Sequence, residues 1–385
     1  MASDATIEHL GRLIGFDTTS RNSNLALIDH VEACLAGFGV ACERISDATG
    51  QKANLFATIG PADKAGYVLS GHTDVVPVDD QRWSSDPFDM VRRGGRLFGR
   101  GACDMKGFLA VCLALVPEML AAGLKLPLHL AFSYDEEVGC IGVRDLLAEL
   151  AKRPVRPAGC IVGEPTNMQV VIGHKAKRTL RFCAHGIGGH SSRAPECVNA
   201  VEYAARLVVA TTGIAARFEE SGARDDLYDV PHSTAHVGVF HGGSTVNVVP
   251  SEAVLDLEFR TIAEDDLDAL SDEIREAAAA IESEMKARDE RAAFTCEQVS
   301  EIPGLDLSAD AEIVTLAKRL AGRNDHAKVA YGTEAGLFVE TAGIPTVVCG
   351  PGSIGEAHKP DEFVTEEQLA KCEDFVRKLI AHCAA

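Results

Sequence analysis

The sequence predicts an α/β protein, a mixed sheet with helices on both faces, interrupted by a smaller α+β domain of ferredoxin-like plan. Three observations predict it. Short apolar runs alternate with segments of helical period, the pattern of a sheet covered by helices. At 385 residues, the chain exceeds the roughly 250–300 residues that one hydrophobic core serves. Between residues 178 and 301 the order changes to β-α-β-β-α-β, six elements able to close a domain of their own. The main domain is therefore expected in two parts, 1–177 and 302–385, around an inserted lid at 178–301.

In chain order, Asp4 is placed to cap a helix carrying Ile7, Leu10, Leu13 and Ile14, and Leu25 to Leu35 repeats that period before Gly37 and Gly39. Extended runs follow at Val40–Ile45, Asn54–Ile59 and Tyr67–Ser70, with a hairpin turn at 92–96. A strongly apolar helix is expected after Gly107, to about Ala122, a strand at 128–134, and a helix from Val138 to Leu150. In the insert, Thr179–Ala184, Ser233–Phe240, Val246–Arg260 and Ala293–Val299 read as strands, and Glu196–Phe218 and Leu267–Met285 as helices. The insert strands alternate, which leaves one sheet face for solvent or for another subunit. The closing segment reads as a helix at 309–320, a strand at 345–349 and a helix from Glu366 to His382 capped by Thr365.

Composition narrows the function classes. Hydrophobic residues make up 46% and charged residues 24%, an ordinary globular balance. The net charge of −20 disfavours nucleic acid and anionic membranes as partners; it is compatible with a cationic or zwitterionic substrate, though solubility alone would explain it. No run approaches the ~20 apolar residues of a membrane span, and the first residues lack a signal-like pattern, so a cytoplasmic location is expected. Twelve scattered cysteines without a Cys-x-x-Cys pair argue against a thiolate zinc site and for reduced thiols.

The chemistry gathers where apolar runs end. Tyr67–Ser70 leads into His72 and Asp74, and at the carboxyl end of a sheet strand such residues stand where ligands bind. Asp74 is placed to hold His72 in one tautomer. Asp104 stands where a glycine-rich loop enters a helix; an N-cap role is the plain reading, while glycines 99, 101 and 107 imply a constrained backbone. The strand ending at Tyr134 delivers Asp135, Glu136 and Glu137, neighbouring carboxylates whose repulsion a cation would relieve; a solvated acidic loop is the alternative. Glu164 follows Ile161, Val162 and Gly163, and Pro165 ends the run. Gly350, Gly352 and Gly355 match a dinucleotide fingerprint formally, but Pro360 follows and no βαβ unit does, so they read as a loop bringing His358 to the strand ends. Two histidines and three carboxylates, His72, Asp104, Glu137, Glu164 and His358, suit zinc, cobalt or manganese, and five ligands suit two metals sharing a carboxylate. His190, in a glycine-rich loop of the insert, reads as a hinge or ligand contact. Arg260, ending a strand, reads equally as a carboxylate clamp or a surface residue.

Taken together, Ser70-Gly-His72-Thr-Asp74-Val-Val-Pro77, Gly99-Arg-Gly-Ala-Cys-Asp104-Met-Lys-Gly107, Asp135-Glu136-Glu137-x-Gly139, Gly163-Glu164-Pro165 and Gly189-His190-Ser-Ser192 resemble the co-catalytic zinc metallopeptidase family over nearly the whole chain. The resemblance implies a dinuclear-metal catalytic domain with a lid and dimerisation domain, and hydrolysis of an N-acyl amide of an amino acid. It implies one metal, zinc before cobalt or manganese, on His72, Asp104 and Glu164, and a second on Asp104, Glu137 and His358. Glu136 resembles the general base and Asp74 the partner behind His72. His190 resembles the lid histidine that reaches the active site of a partner subunit in a homodimer. Asn247, Arg260 and Thr333 resemble positions that hold a substrate α-carboxylate. Two other readings stand beside this one: a cysteine hydrolase built on Cys103, and a metal-binding scaffold without catalysis.

Overall fold

The computed structural model describes all 385 residues, and the chain divides into two compact units. The first holds Met1–Gly173, Leu305–Lys328 and Thr333–Ala385; the second holds His174–Gly304 and Val329–Gly332.

The first unit is built on a nine-stranded mixed sheet. Its centre is four parallel neighbours: Leu128–Ser133, Tyr67–His72, Gly159–Pro165 and Thr346–Gly350. Ala53–Ile59 and Cys42–Ser46 extend one side antiparallel, and Val171–His174 begins the other. The central strands are buried almost throughout, as the continuous apolar runs of a sheet covered on both faces require. Gly163 shows how closely the helix Lys106–Ala114 lies on them, since a Cβ there would fall 2.0 Å from the ring of Phe108. Because the four strands run in one direction, whatever follows each carboxyl end arrives at one edge.

Several elements depart from the pattern reading. Ser3, not Asp4, caps the first helix: its hydroxyl accepts from Thr6 N at 3.2 Å, and Asp4 lies in the first turn, where its charge suits the helix dipole. The long apolar helix breaks at Leu115 into Lys106–Ala114 and Val116–Ala121, because Pro117 lacks an N–H and fits only a first turn. Val138–Gly142 is not helical; Gly139 and Cys140 take φ of 115° and 52°, and the helix begins at Val143. Val171–His174, Leu305–Asp306 and Ala327–Val329 are strands too short to carry a periodic signal.

The second unit is a four-stranded antiparallel sheet, ordered Thr234–Gly242, Glu252–Thr261, Ala176–His185, Ala293–Ile302. With the helices Ala200–Ser221 and Leu267–Arg288 it gives the β-α-β-β-α-β plan of the ferredoxin-like fold. Glu252–Thr261 alternates buried and half-buried positions, and Leu255, Leu257 and Phe259 join Leu207, Ile274 and Ile281 of the helices in one core. Asn199 caps the first helix by accepting from Val201 N and Glu202 N, so that helix starts later than its apolar pattern. Pro250 divides the expected strand 246–260 into Val248–Val249 and Glu252–Thr261.

Candidate metal centre

At the carboxyl edge of the parallel strands, the first unit brings together His72, Asp74, Asp104, Glu136, Glu137, Glu164 and His358. His72 is the last residue of its strand and is buried. Its Nε2 lies 3.1 Å from Asp104 Oδ1 and 3.6 Å from Glu164 Oε1. The other oxygen of Asp104 lies 3.2 Å from His358 Nε2, which is also 3.1 Å from Glu137 Oε2. Asp104 thus faces two donor groups, one with each oxygen. It is free to do so because it caps nothing: the cap position of the following helix is Met105, without a side-chain hydrogen bond. His358 comes on the loop after Thr346–Gly350, at a positive φ of 61°, and its side chain is half exposed. That loop contains only a 3-10 turn, Ile354–Glu356, so its glycines open no nucleotide-binding helix. A Cβ on Gly350 would instead strike the carbonyl oxygen of Gly163 at 1.9 Å.

The supports behind these groups are partly unexpected. The Nδ1 of His72 meets the main-chain oxygen of Asp74 at 2.9 Å, and the Asp74 carboxylate is farther, at 3.5 Å. That carboxylate accepts instead from Ser20 Oγ at 2.7 Å, Glu136 N at 3.1 Å and Glu137 N at 3.3 Å, which ties the Asp135–Glu137 turn to the end of the His72 strand. Glu362 accepts from Arg100 Nη1 at 2.7 Å, Gly101 N at 3.1 Å, Cys103 N at 2.9 Å and Asp104 N at 3.0 Å, and so holds the loop that carries Asp104. Glu334, fully buried, accepts from Ser70 Oγ at 2.6 Å and Ser133 Oγ at 2.7 Å. Pattern reading finds none of Ser20, Glu334, Glu362 or Arg100 in these roles. The one available signal is that Glu362 and Arg100 lie inside motifs that also supply His358 and Asp104.

The electrostatics follow from crowding carboxylates in a buried place. Burial, with the charges of Glu137, Asp104 and Asp74, pushes Glu136 up to about 8 against the pull of His72. Burial and the Asp104 charge hold Glu164 well above its usual range, and Glu137 is raised for the same two reasons. Burial would raise Asp104, but contacts with His358 and His72 hold it low. Burial alone would lower His72; Asp104, Asp74 and Glu164 carry it well above its ordinary value. His358 is raised to about 10 by Asp104 and Glu137. The donors fit divalent cations: oxygen and imidazole nitrogen converge, and the buried Glu164 Oε1 has no hydrogen-bond partner. His72, Asp104 and Glu137 offer ligand atoms within 4.8 Å of one another, as do His72, Glu136 and Glu164.

Thr333 is buried in the first unit, its hydroxyl accepting from Ala335 N at 3.1 Å where a helix begins. The other three residues belong to the second unit. His190 is exposed, with Nδ1 2.8 Å from Ser192 Oγ. Asn247 is exposed and lends its main-chain oxygen to Ser191 N. Arg260 is engaged within its own unit, with Nε 2.7 Å from Glu258 Oε1 and Nη1 3.2 Å from the Ala330 oxygen. Cys103 is no nucleophile of the usual kind: it is buried, its thiol donates to the Ser353 oxygen at 3.3 Å, and burial pushes its pKa far up.

The cluster of imidazoles and carboxylates stands at the parallel edge of a mixed α/β sheet, and the family and relatives that the chain matches define the class, a hydrolase acting on amide bonds. The chain belongs to the Peptidase family M20/M25/M40, whose model matches residues 68–382. The chain is 32% identical over 367 residues to the acetylornithine deacetylase of Proteus mirabilis, covering 94% of this chain and 91% of that one. With the acetylornithine deacetylase of Yersinia pseudotuberculosis it shares 31% over 373 residues, covering 95% and 92%. Among solved structures, a metallo-carboxypeptidase of this family from Sulfolobus solfataricus superposes with a TM-score of 0.81 at 19% identity, over 99% of this chain and 100% of that one. A dinuclear metal-binding peptidase from Bacillus subtilis gives 0.68 at 15%, over 98% and 97%. No helix of the chain is long and apolar enough to cross a membrane.

Proposed function

We propose that the chain removes the acetyl group from N2-acetyl-L-ornithine, giving L-ornithine and acetate in arginine biosynthesis in the cytoplasm. The observation that carries the reading is Asp104, one of whose oxygens faces His72 and the other His358. Its support is the 32% identity to acetylornithine deacetylases over nearly the whole chain, with Gly332-Thr-Glu-Ala335 and the Gly350–Glu362 segment, which resemble those enzymes most.

Two divalent cations, zinc by preference, would be held by His72, Asp104 and Glu164 and by Asp104, Glu137 and His358, and when bound would acidify a water and polarise the amide carbonyl. Glu136 takes the proton of that water. Its carboxyl group stands near His72 and Glu164 and accepts from the Cys140 thiol at 3.3 Å, a position suited to taking up and passing on a proton. Glu136 then gives the proton to the leaving amine. Asp74 fixes Glu136 by binding its main-chain N–H, which keeps the base in place while its side chain moves between donor and acceptor. In this reading His190, supplied by the partner subunit of a homodimer formed through the lid, donates to the developing oxyanion, and Asn247, Arg260 and Thr333 hold the α-carboxylate.

The test is a comparison of kcat/KM for the metal-loaded protein on N-acetylornithine, N-succinyl-diaminopimelate and N-acetylmethionine. The reading expects the first to be the best substrate. Preference for either of the others moves the specificity within the family, and absence of turnover on all three overturns the reaction.

A further inference from the structure

Away from the catalytic cluster, the helices Asp4–Ile14 and Leu25–Gly37 place three side chains together: His9 on the first, His30 and Cys34 on the second. His30 and Cys34 are four residues apart and so share a helix face. One ligand atom from each of the three lies within 4.8 Å of the others. His30 Nε2 is 3.6 Å from Cys34 Sγ. Zinc bonds of about 2.3 Å to sulfur and 2.0–2.1 Å to nitrogen, at a tetrahedral angle, put those two atoms roughly 3.5 Å apart. All three residues are half-buried rather than sealed in the core, and with three protein ligands a water would complete four-coordination.

We propose that His9, His30 and Cys34 form a further metal site for a borderline-to-soft divalent cation, Zn2+ in particular. Two imidazoles with one thiolate select such an ion over magnesium or calcium. The site differs in kind from the catalytic cluster, which offers only oxygen and nitrogen. Arg12 acts on His30 against a cation, and Glu8 acts on His9 in its favour. On binding, Cys34 gives up its thiol proton to solvent, and no electron is transferred. The ion would pin the two helices flanking residues 15–24. That segment delivers Ser20 Oγ to Asp74 and Asn24 Nδ2 to Thr73 Oγ1 at 3.0 Å, so the staple would stiffen the back of the catalytic edge.

Thiolate-to-cobalt charge transfer distinguishes this site, because the catalytic ligands cannot produce it. The full-length metal-free protein, kept reduced by a non-chelating reductant, is titrated with Co2+ and followed by near-ultraviolet absorption and by bound cobalt per chain. The expected result is a saturating charge-transfer band in the parent, and loss of that band with about one equivalent of cobalt in Cys34→Ser. His9→Ala and His30→Ala should lose it as well. A parent without the band, a band that survives Cys34→Ser, or a band that survives both histidine variants overturns the proposal, leaving only a thiol–imidazole hydrogen bond.

Discussion

Replacing Glu362 by glutamine tests the claim that a buried carboxylate holds the loop under Asp104. Glu362 and Arg100 are each about 1% exposed and 2.7 Å apart. One carboxylate oxygen takes Arg100 Nη1 and Gly101 N, and the other takes Cys103 N and Asp104 N. A glutamine can satisfy one of these pairs, but its amide nitrogen then faces two donors. Breaking a buried ion pair from one side costs about 3–5 kcal/mol, because the surviving charge is left uncompensated. The expected loss of stability of the first unit is of that order. The main-chain N–H of Asp104 would no longer be anchored by a carboxylate, so affinity for metal should fall by roughly 10–100-fold. The single tryptophan, Trp83, provides the assay: its ring lies 4.9 Å from the Arg100 guanidinium, so its fluorescence reports directly on this loop during urea unfolding. Adding Arg100→Met should recover part of the loss, since removing both charges leaves neither stranded. A Glu362→Gln protein with stability within about 1 kcal/mol of the parent and unchanged metal affinity would refute the reasoning.

Glu136→Ala should bind metal as the parent does and lose turnover, measured by metal content and by N-acetylornithine hydrolysis; equal activity removes Glu136 as the base. Chelation should abolish hydrolysis and added zinc restore it, whereas thiol alkylation should spare it, because Cys103 is buried with a raised pKa; the opposite pattern would revive the cysteine hydrolase. His129, stacked on Phe56, is lowered by burial, with a contribution from Arg153, from 6.5 to about 4. Between those values the unfolded chain binds a proton that the folded chain does not, so stability falls as pH drops through that window, by up to roughly 3 kcal/mol. Urea midpoints from pH 7 to 4 should fall less steeply for His129→Gln than for the parent, and parallel curves would count against the assignment. Metal binding should release protons, because the imidazoles of His72 and His358 are held protonated by carboxylates that a cation would take over; binding enthalpy at pH 7 should therefore depend on the ionisation enthalpy of the buffer.

Much of the first unit was legible because its central strands are buried on both faces. A continuous apolar run such as Tyr67–Gly71 ending in His72 marks both the strand and the edge where it stops. The second unit was legible for the opposite reason, since its alternating strands and two long helices have distinct periods. What escaped was whatever depends on a partner far along the chain. Glu334 is 264 residues from Ser70 and 201 from Ser133, and although it lies inside the Gly332–Ala335 motif, nothing in that motif says which side chains it meets. Asp104 carried the strongest local signal for a cap, and only the backbone at Met105 shows that it does not serve as one. The break at Leu115 was signalled by Pro117 but hidden by the apolar run around it. Nothing in sequence spacing alone could bring His9 to His30 and Cys34, because that meeting depends on how two helices pack.

The buried acids also change the meaning of the chain's negative charge. A net charge of −20 would suggest a surface field that gathers cationic or zwitterionic substrates. Yet Asp74, Glu334 and Glu362 are buried, and each accepts hydrogen bonds from main-chain amides or hydroxyls on other segments. Glu362 organises the Asp104 loop, Asp74 the Glu136–Glu137 turn, and Glu334 joins the strands that end near His72 and Ser133. The Glu362 charge is met by Arg100, and those of Asp74 and Glu334 are stabilised where they stand by N–H and O–H dipoles, so this part of the negative charge has a structural use beside any field. These acids hold His72, Asp104, Glu136 and Glu137 at fixed positions relative to one another, which is what the proposed site for two neighbouring cations would require.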